Sequence, residues 1–301
     1  MADFVSGFWG WFIAVVTIAS IVGLVLVLLG NTLSKGVSEG DLETTGHVWD
    51  DDLAELNNPL PKWWLNLFYI TLIFGVVYLL LYPGLGKFQG FLGWSQIGQL
   101  AEENAAADEV YGPLYKKYAA SEISALASNV DAMETGQRLF NNYCSVCHGS
   151  DARGARGFPN LRDSHWLYGG EPENIRMSIL SGRLGTMPAW GAILGAQGLD
   201  EITEHVLSLS RRSPDARKAK AGEKIFQANC VACHQADGTG NIALGAPDLT
   251  DDAWLYGASR KAIQESIDTG RRGYMPPHKD FLGEDKIHLL AAYVYSIRGT
   301  D

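Results

Sequence analysis

Cys144-Ser145-Val146-Cys147-His148 recurs 86 residues later in this sequence as Cys230-Val231-Ala232-Cys233-His234. These two pentapeptides contain all four cysteines of the 301-residue chain. In each of them two thiols stand about one helical turn apart, and a histidine directly follows the second thiol. Four cysteines are too few for a disulfide-dense mini-domain, so this paired spacing needs another chemical explanation.

The sequence around each pentapeptide repeats as well. The matching segments are 135–140 and 221–226, Pro159 with Leu161 and Pro247 with Leu249, 166–169 and 254–257, and 182–188 and 270–276. Because the offset grows from 86 to 88 residues, the second copy has two additional residues after its cysteine motif. The repeat predicts two modules, residues 134–212 and 218–301, joined by a short linker around Pro214. Modules of this size are small to be stabilised by a hydrophobic core alone, so we expect a disulfide, a metal or a bound cofactor to stabilise each one.

The Cys-x-x-Cys-His order is the attachment motif of c-type heme. Its two thiols can add to the two vinyl groups at one porphyrin edge, and the adjacent imidazole can then present a nitrogen to the iron. A covalent heme also supplies an apolar plate around which a short chain can fold. We therefore predict two covalently bound hemes c. The predicted attachment and proximal residues are Cys144, Cys147, His148, Cys230, Cys233 and His234.

Two other interpretations of the cysteines are open on the sequence alone. A zinc site built from both cysteine pairs could join the two halves of the chain. It would leave the histidine after each second cysteine without a role. A redox dithiol of the thioredoxin type is expected once, in an alternating strand and helix pattern, whereas this chain has two motifs in helix-rich repeats. Heme attachment explains more of the repeated residues.

Two methionines are the predicted ligands on the other face of each iron. Met187 and Met275 occupy equivalent repeat positions, and each is followed by proline. A thioether ligand favours ferrous iron and raises the reduction potential, which suits electron transfer. Sequence order pairs His148 with Met187 and His234 with Met275, but two facing modules could exchange their methionine loops. Four other histidines are alternative candidates for this distal ligand, and none has a histidine at the equivalent repeat position. They are His165, His205, His278 and His288.

Arg183 and Arg271 precede the two methionines by four residues. Guanidinium groups there could bind heme propionates through charge-assisted hydrogen bonds, and a solvated charge is the alternative. The aromatic residues repeated just upstream are expected to pack as heme walls. They are Trp166, Tyr168, Trp254 and Tyr256.

Two uncharged runs, 8–30 and 63–86, are long enough to cross a bilayer as helices and have Trp or Tyr near their ends. A cleaved signal peptide is the alternative for the first run, and the core helix of a soluble domain for the second. The sequence thus predicts a transmembrane helix within 1–33, an acidic loop at 34–62, and a second transmembrane helix at 63–86. A helical, partly solvated tether at 87–133 follows.

The formal net charge is −10, and nine of the ten excess negative charges precede residue 134. The chain has no stripe of Lys and Arg able to neutralise phosphates, which argues against a nucleic-acid partner. The predicted modules are close to neutral, so the acidity says little about their surface.

Both modules resemble class I cytochrome c domains, and the chain from about residue 46 onward resembles the diheme subunits (CcoP, subunit III) of cbb3-type cytochrome c oxidases. The cysteine motifs carry only the cytochrome c resemblance. The sequence Asn58-Pro59-Leu60-Pro61-Lys62-Trp63-Trp64, with 81–86, is similar to that family's junction between loop and membrane anchor. The run at 8–30 departs from members with one anchor and resembles a fused single-span subunit.

The resemblance implies an all-α chain with two N-terminal transmembrane helices and two tandem cytochrome c-like heme domains. It implies a bacterial inner-membrane protein with periplasmic hemes and a cytoplasmic 34–62 loop. It further implies electron relay from a soluble cytochrome c donor to a monoheme subunit and a heme-copper catalytic subunit, with no catalytic site in this chain. A diheme cytochrome serving a membrane-bound dehydrogenase is the alternative. A diheme peroxidase would need an open iron, which Met187 and Met275 argue against.

Overall fold

The computed structural model describes residues 6–33, 44–56, 60–213 and 215–300. Part of the predicted acidic loop, Asn58 and Pro59 of the junction, and Pro214 of the linker lie outside the described residues. The chain divides into two compact units, Met1–Asp108 and Glu109–Asp301.

The first unit contains both apolar helices. Its elements are α1 (Gly7–Leu33), β1 (Thr44–Trp49), β2 (Leu53–Leu56), α2 (Lys62–Leu81) and the first half of α3 (Gln96–Ala119). By length and composition, Gly7–Thr32 and Lys62–Leu81 could each cross a membrane. No residue of α2 is buried, which is not how the core helix of a soluble domain packs.

Helix α2 is shorter than the predicted 63–86 span. It ends at Leu81, and Tyr82 is extended. Pro83 explains this end, because proline disfavours helical geometry in the residue before it and has no N–H to continue the hydrogen-bond ladder. The backbone then turns back, and the N–H groups of Phe91 and Leu92 donate to the carbonyls of Leu80 and Leu81 at 2.8 and 3.1 Å.

A β-hairpin occupies the middle of the predicted acidic loop. Strands β1 and β2 pair antiparallel, with Val48 opposite Ala54 and Trp49 opposite Leu53. Asp50 and Asp51 form the turn at positive φ, a conformation that aspartate tolerates better than most residues. The sequence predicts only a loop here, so this hairpin is a feature that its acidic composition hides.

The second unit is built of short helices and one further strand pair. Its elements are the end of α3, α4 (Ile123–Leu126), α5 (Val130–Tyr143), α6 (Ser145–His148), α7 (Pro172–Ser181), β3 (Arg183–Met187), α8 (Gly191–Leu209), α9 (Ala216–Asn229), α10 (Val231–His234), α11 (Arg260–Thr269), β4 (Arg271–Met275), α12 (Lys279–Leu282) and α13 (Glu284–Ile297). The helical fold class is confirmed, with the addition of two small two-stranded sheets.

Two hydrophobic cores fill this unit, and each combines helices from both sequence repeats. The first core packs α13 of the second repeat on α5 and α7 of the first, and the second core packs α8 of the first repeat on α9 and α11 of the second. Phe140 and Ile287 are fully buried in the first core, and Phe226 and Ile202 in the second. The predicted modules 134–212 and 218–301 rest on the sequence repeat alone, whereas the packed cores exchange the last helices of the two repeats.

Glycines mark the two helix crossings. A side chain at Gly136 in α5 would place its Cβ 2.8 Å from the Cβ of Tyr293 in α13, and one at Gly222 in α9 would lie 2.9 Å from the Cβ of His205 in α8. Positions 136 and 222 are equivalent in the repeat, as are 293 and 205. Both cores thus have the same close crossing, each between a helix of one repeat and the last helix of the other.

The strands β3 and β4 run between the two cores. They pair antiparallel with Arg183 opposite Met275, Gly185 opposite Gly273, and Met187 opposite Arg271. The sequence predicts fixed loops here. The pairing arises because each segment leaves a helix of its own repeat and enters the core of the other, so the two segments pass side by side.

The end of the predicted tether belongs to the first core. Tyr118 of α3 and both Ile123 and Leu126 of α4 are buried in the cluster that contains α13. The tether is helical as expected, but its last turns are packed rather than solvated.

Candidate functional site

Each cysteine motif sits at a break between two helices. Asn129 caps the start of α5, where its side chain accepts a hydrogen bond from the backbone N–H of Ala132, and Cys144 is the C-cap. Asp215 caps the start of α9 in the same way, and Cys230 is its C-cap. The single turns α6 and α10 then carry the second cysteine and the histidine of each motif.

The two histidines are held by equivalent hydrogen bonds. His148 Nδ1 lies 3.1 Å from the carbonyl oxygen of Pro159, and His234 Nδ1 lies 3.1 Å from that of Pro247. Since a carbonyl can only accept, Nδ1 carries the proton and Nε2 keeps its lone pair. This arrangement fixes the tautomer and ring orientation that metal-binding histidines require. The sequence repeat contains both prolines, but no sequence signal assigns them this role.

Burial keeps both imidazoles neutral. It lowers the pKa of His148 and of His234 below the ordinary histidine value; in each case the bond to the proline carbonyl opposes this effect. For His148, the neighbouring His278 lowers the pKa further. A neutral imidazole is the form that binds metal.

The first thiol of each motif lacks the environment of a reactive dithiol. Burial, with a smaller contribution from the second cysteine of each motif, raises the pKa of Cys144 and of Cys230 to about 11. All four thiols are free. Reactive dithiols need a lowered thiol pKa, so these environments disfavour the thioredoxin-like alternative. The zinc alternative is disfavoured too, because no group of three or more His, Cys, Asp or Glu side chains converges within the part of the chain that the structure describes.

Each predicted distal methionine packs against the core that also carries the cysteine motif of the other repeat. Met275 and Cys144 both pack against the first core, and Met187 and Cys230 both pack against the second. The structure therefore groups each cysteine motif with the methionine of the other repeat. Sequence order alone favours the opposite pairing.

The two predicted arginines stay with the cysteine motif of their own repeat. Arg183 Nε donates to Ser178 Oγ at 2.9 Å, and its guanidinium lies 4.6 Å from the ring centre of Tyr168. Arg271 Nε donates to Ser266 Oγ at 2.9 Å and stacks 4.7 Å from Tyr256. The solvated-charge alternative does not describe them, since both side chains are partly buried and fixed at two points.

Unpaired donors at the second motif show that these residues fit a heme c. Within the described residues, Arg271 Nη2 and Trp254 Nε1 are buried without a hydrogen-bond partner. A buried donor without an acceptor is costly, so both positions call for an acceptor such as a propionate. At the first motif the equivalent donors are occupied by backbone carbonyls, Trp166 by that of Asp163 and Arg183 by that of Asn174.

Three of the four rival histidines have other contacts. His205 packs on Phe226 with ring centres 5.0 Å apart, His288 Nε2 lies 2.7 Å from the Ser121 carbonyl oxygen, and His165 pairs with Asp251 at 3.8 Å. His278 is close enough to affect His148, and its Nδ1 has no partner among the described residues. Its repeat equivalent is Trp190, which cannot bind iron, so the shared pattern favours methionine at both sites.

Comparison with known proteins matches most of the chain to one family. Residues 41–89 match the N-terminal domain of cytochrome oxidase-cbb3, FixP, and residues 131–206 and 217–294 match the model "Cytochrome C oxidase, cbb3-type, subunit III". The chain is 42% identical to the cbb3-type cytochrome c oxidase subunit CcoP of Rubrivivax gelatinosus, over 100% of this chain and 98% of that protein. This alignment includes α1.

Two further relatives are somewhat more distant. The chain is 38% identical to the CcoP subunit of Azospirillum brasilense over 86% of this chain and 96% of that one. It is 35% identical to the FixP subunit of Rhizobium meliloti (strain 1021) over 86% of this chain and 95% of that one.

Proposed function

Since the chain belongs to the subunit III family of cbb3-type cytochrome c oxidases, we propose that it is a membrane-anchored diheme cytochrome that relays electrons within such an oxidase. The observation that carries the proposal is the duplicated site: two Cys-x-x-Cys-His turns, each with its imidazole Nδ1 bonded to a proline carbonyl. Two equivalent one-electron sites in one compact unit suit a relay.

Each motif would hold one heme c through its two cysteines, as thioethers. When bound, the heme supplies an iron that takes up and releases one electron. The chain's part is to present His148 Nε2 and His234 Nε2 in a fixed orientation. The tryptophan and tyrosine of each repeat exclude water, and Arg183 and Arg271 offset the propionate charge.

We pair His148 with Met275 and His234 with Met187. Support for this exchange comes from the packing of each methionine on the core of the other repeat and from the ladder that places Met275 opposite Arg183. With protein ligands on both faces, neither site offers an open position for a substrate. We therefore assign no catalytic site of its own to this chain.

The chain's partners follow from the same proposal. A soluble cytochrome c would donate electrons, and a monoheme subunit and a heme-copper catalytic subunit would receive them. Helices α1 and α2 would both span the inner membrane, with the heme sites in the periplasm and the 34–62 loop in the cytoplasm. The loop carries Lys35 and Lys62 while the N-terminal tail has no Lys or Arg, which agrees with this orientation.

Purification of the full-length chain from membranes tests the proposal. We expect two hemes per chain in a pyridine hemochrome assay, and a heme-copper and a monoheme subunit in the purified complex. The matched variant, with Cys230 and Cys233 both changed to Ala, should retain one heme. A count of one heme in the unmodified chain would contradict the duplicated site. Copurification with a dehydrogenase in place of a heme-copper subunit would contradict the oxidase role.

A further inference from the structure

Glu265, in α11, joins the two repeats through one carboxylate. Its Oε1 lies 3.1 Å from Arg271 Nη1, and its Oε2 lies 3.6 Å from Nη2 of Arg156, a residue of the first repeat. Arg156 is placed by a second contact, because its Nε donates to the Tyr256 carbonyl oxygen at 3.1 Å. The ring of Tyr256 is the surface on which Arg271 stacks. These residues form a charge bridge, Arg156–Glu265–Arg271, at the second site.

The first site has no carboxylate at the equivalent place. Residue 177, the repeat equivalent of Glu265, is a methionine. Arg183, the equivalent of Arg271, contacts the hydroxyl of Ser178 and the carbonyl of Asn174, and both partners are neutral. The two arginines thus have the same stacking and the same serine contact, but their charge environments differ.

We propose that Glu265 lowers the reduction potential of the heme at the second site, and that Arg156 limits this effect. The inference rests on the proposed function, since it takes a heme c to be present there. Arg271 Nη1 pairs with Glu265, while the buried Nη2 of the same guanidinium has no partner among the described residues. A group bound to Nη2 would therefore be separated from the Glu265 carboxylate only by this guanidinium. A nearby negative charge stabilises ferric iron over ferrous iron.

This charge bridge has a consequence for the direction of electron transfer. A lower potential at the second site favours the electron residing at the first site. The first core is the one on which the end of the tether packs, through Tyr118, Ile123 and Leu126. Glu265 would therefore bias the pair of hemes toward the site next to the chain's membrane anchor in sequence.

A redox titration of the full-length Glu265→Gln variant tests the inference. One of the two reduction equilibria should shift about tenfold toward the ferrous form, about 59 mV for one electron, while the other stays unchanged. Arg156→Gln should shift the same heme in the opposite direction. A merely structural role would loosen the site in both variants and move its potential in one direction. Shifts of the same sign would therefore overturn the inference.

Two further variants establish which heme responds. In a Met187→His background, which should lower the potential of the second heme well below that of the first, Glu265→Gln must act on the low-potential heme. Met177→Glu introduces the missing carboxylate beside Arg183 and should lower the other potential, with Met177→Gln as its neutral control. If two hemes are bound and Glu265→Gln changes neither reduction potential, the inference is overturned and the proposed function remains intact. A chain that binds fewer than two hemes would overturn the proposed function itself.

Discussion

The two cores of the second unit, Glu109–Asp301, have the same architecture but are held together by different chemistry. In the second core, Glu204 of α8 is 3% exposed, accepts a hydrogen bond from Ser213 Oγ at 2.7 Å and pairs with Arg260 Nε at 2.9 Å. Arg260 also pairs with Asp200, whose carboxylate binds Lys218 Nζ at 2.9 Å. This ion network joins α8 to α9 and α11.

The first core has no counterpart of the ion network at the equivalent positions. The residues equivalent to Glu204, Arg260, Asp200 and Lys218 are Ala292, Pro172, His288 and Ala132. Ala292 and Ala132 are buried in an apolar cluster. Duplication therefore preserved the cysteine motif and the helix crossing, whereas the contacts between the last helix and the rest of each core diverged.

This difference explains how an exchanged arrangement is specified. If α8 packed on its own repeat, Glu204 would face Pro172 and lose its cation. If α13 packed on its own repeat, Arg260 would face Ala292. A buried charge without a partner is strongly destabilising, even though a paired one adds little net stability. We infer that the ion network selects the exchanged packing.

The largest expected effect concerns the methionines. In a chain whose second cysteine pair is changed to Ala, one heme remains at the first motif. Met275→Ala should open that heme to carbon monoxide, from no binding to one carbon monoxide per heme, because Met275 and Cys144 pack against the same core. Visible spectroscopy of the reduced protein under carbon monoxide measures this. Met187→Ala is the matched control and should leave the heme closed; the reverse pattern would contradict the exchange.

The next largest effect is expected from breaking the ion network. Arg260→Ala leaves Glu204 buried without its cation and should reduce the free energy of unfolding by about 3 kcal/mol. Guanidinium unfolding of the full-length protein in detergent measures this change. Arg138→Ala removes an exposed pair with Glu134 in α5 and should change stability by less than about 1 kcal/mol. An equal loss of unfolding free energy in the two variants would contradict a stabilising role specific to the ion network.

A smaller loss of stability is expected when either glycine of the two helix crossings is replaced. Gly136→Ala and Gly222→Ala should each destabilise by about 1–3 kcal/mol through overpacking. Gly222→Ala should cost more, because its Cβ would meet the backbone carbonyl of Glu201, while Gly136→Ala meets the side chain of Tyr293. Thermal unfolding of both variants measures the order. A larger loss for Gly136→Ala would mean that the crossings differ in some other way.

The smallest expected effect is a pH dependence that is stronger in the second core, because Glu204 is buried, whereas Glu173 and Glu284, whose pKa values are also lowered in helices of the first core, are exposed. For Glu204 burial raises the pKa, but Ser213 and Arg260 outweigh it and hold the pKa below its usual value; Lys218 and Arg260 lower that of Asp200. The folded pKa values lie below the unfolded ones, so this stabilisation is complete above about pH 4.5 and is lost as the pH falls through the folded values. Hydrogen exchange should show α8 opening before α13 on acidification. Simultaneous opening of both helices would contradict this.

Much of the architecture can be predicted from local sequence. Cys144 and Cys230 stand at helix ends because capping and motif spacing are properties of a few neighbouring residues. The two apolar helices follow from their length and composition, since only a run of about 20 apolar residues matches the bilayer core. The hairpin at 44–56 cannot be predicted in the same way, because its acidic turn has the composition of a loop.

The candidate sites divide along the same line. The chemistry of the cysteine motifs is covalent and needs residues that are adjacent in sequence, so the sequence by itself determines the kind of site and its duplication. The choice between Met187 and Met275 for each site depends on contacts between α8 and α9 and between α13 and α5, far apart along the chain. Both pairings satisfy the repeat equally well. The tertiary structure favours the exchanged pairing, because the buried charge of Glu204 is paired with Arg260 only when the last helices are exchanged. For the same reason the charge bridge of Glu265, which joins residues of both repeats, appears only in the folded chain.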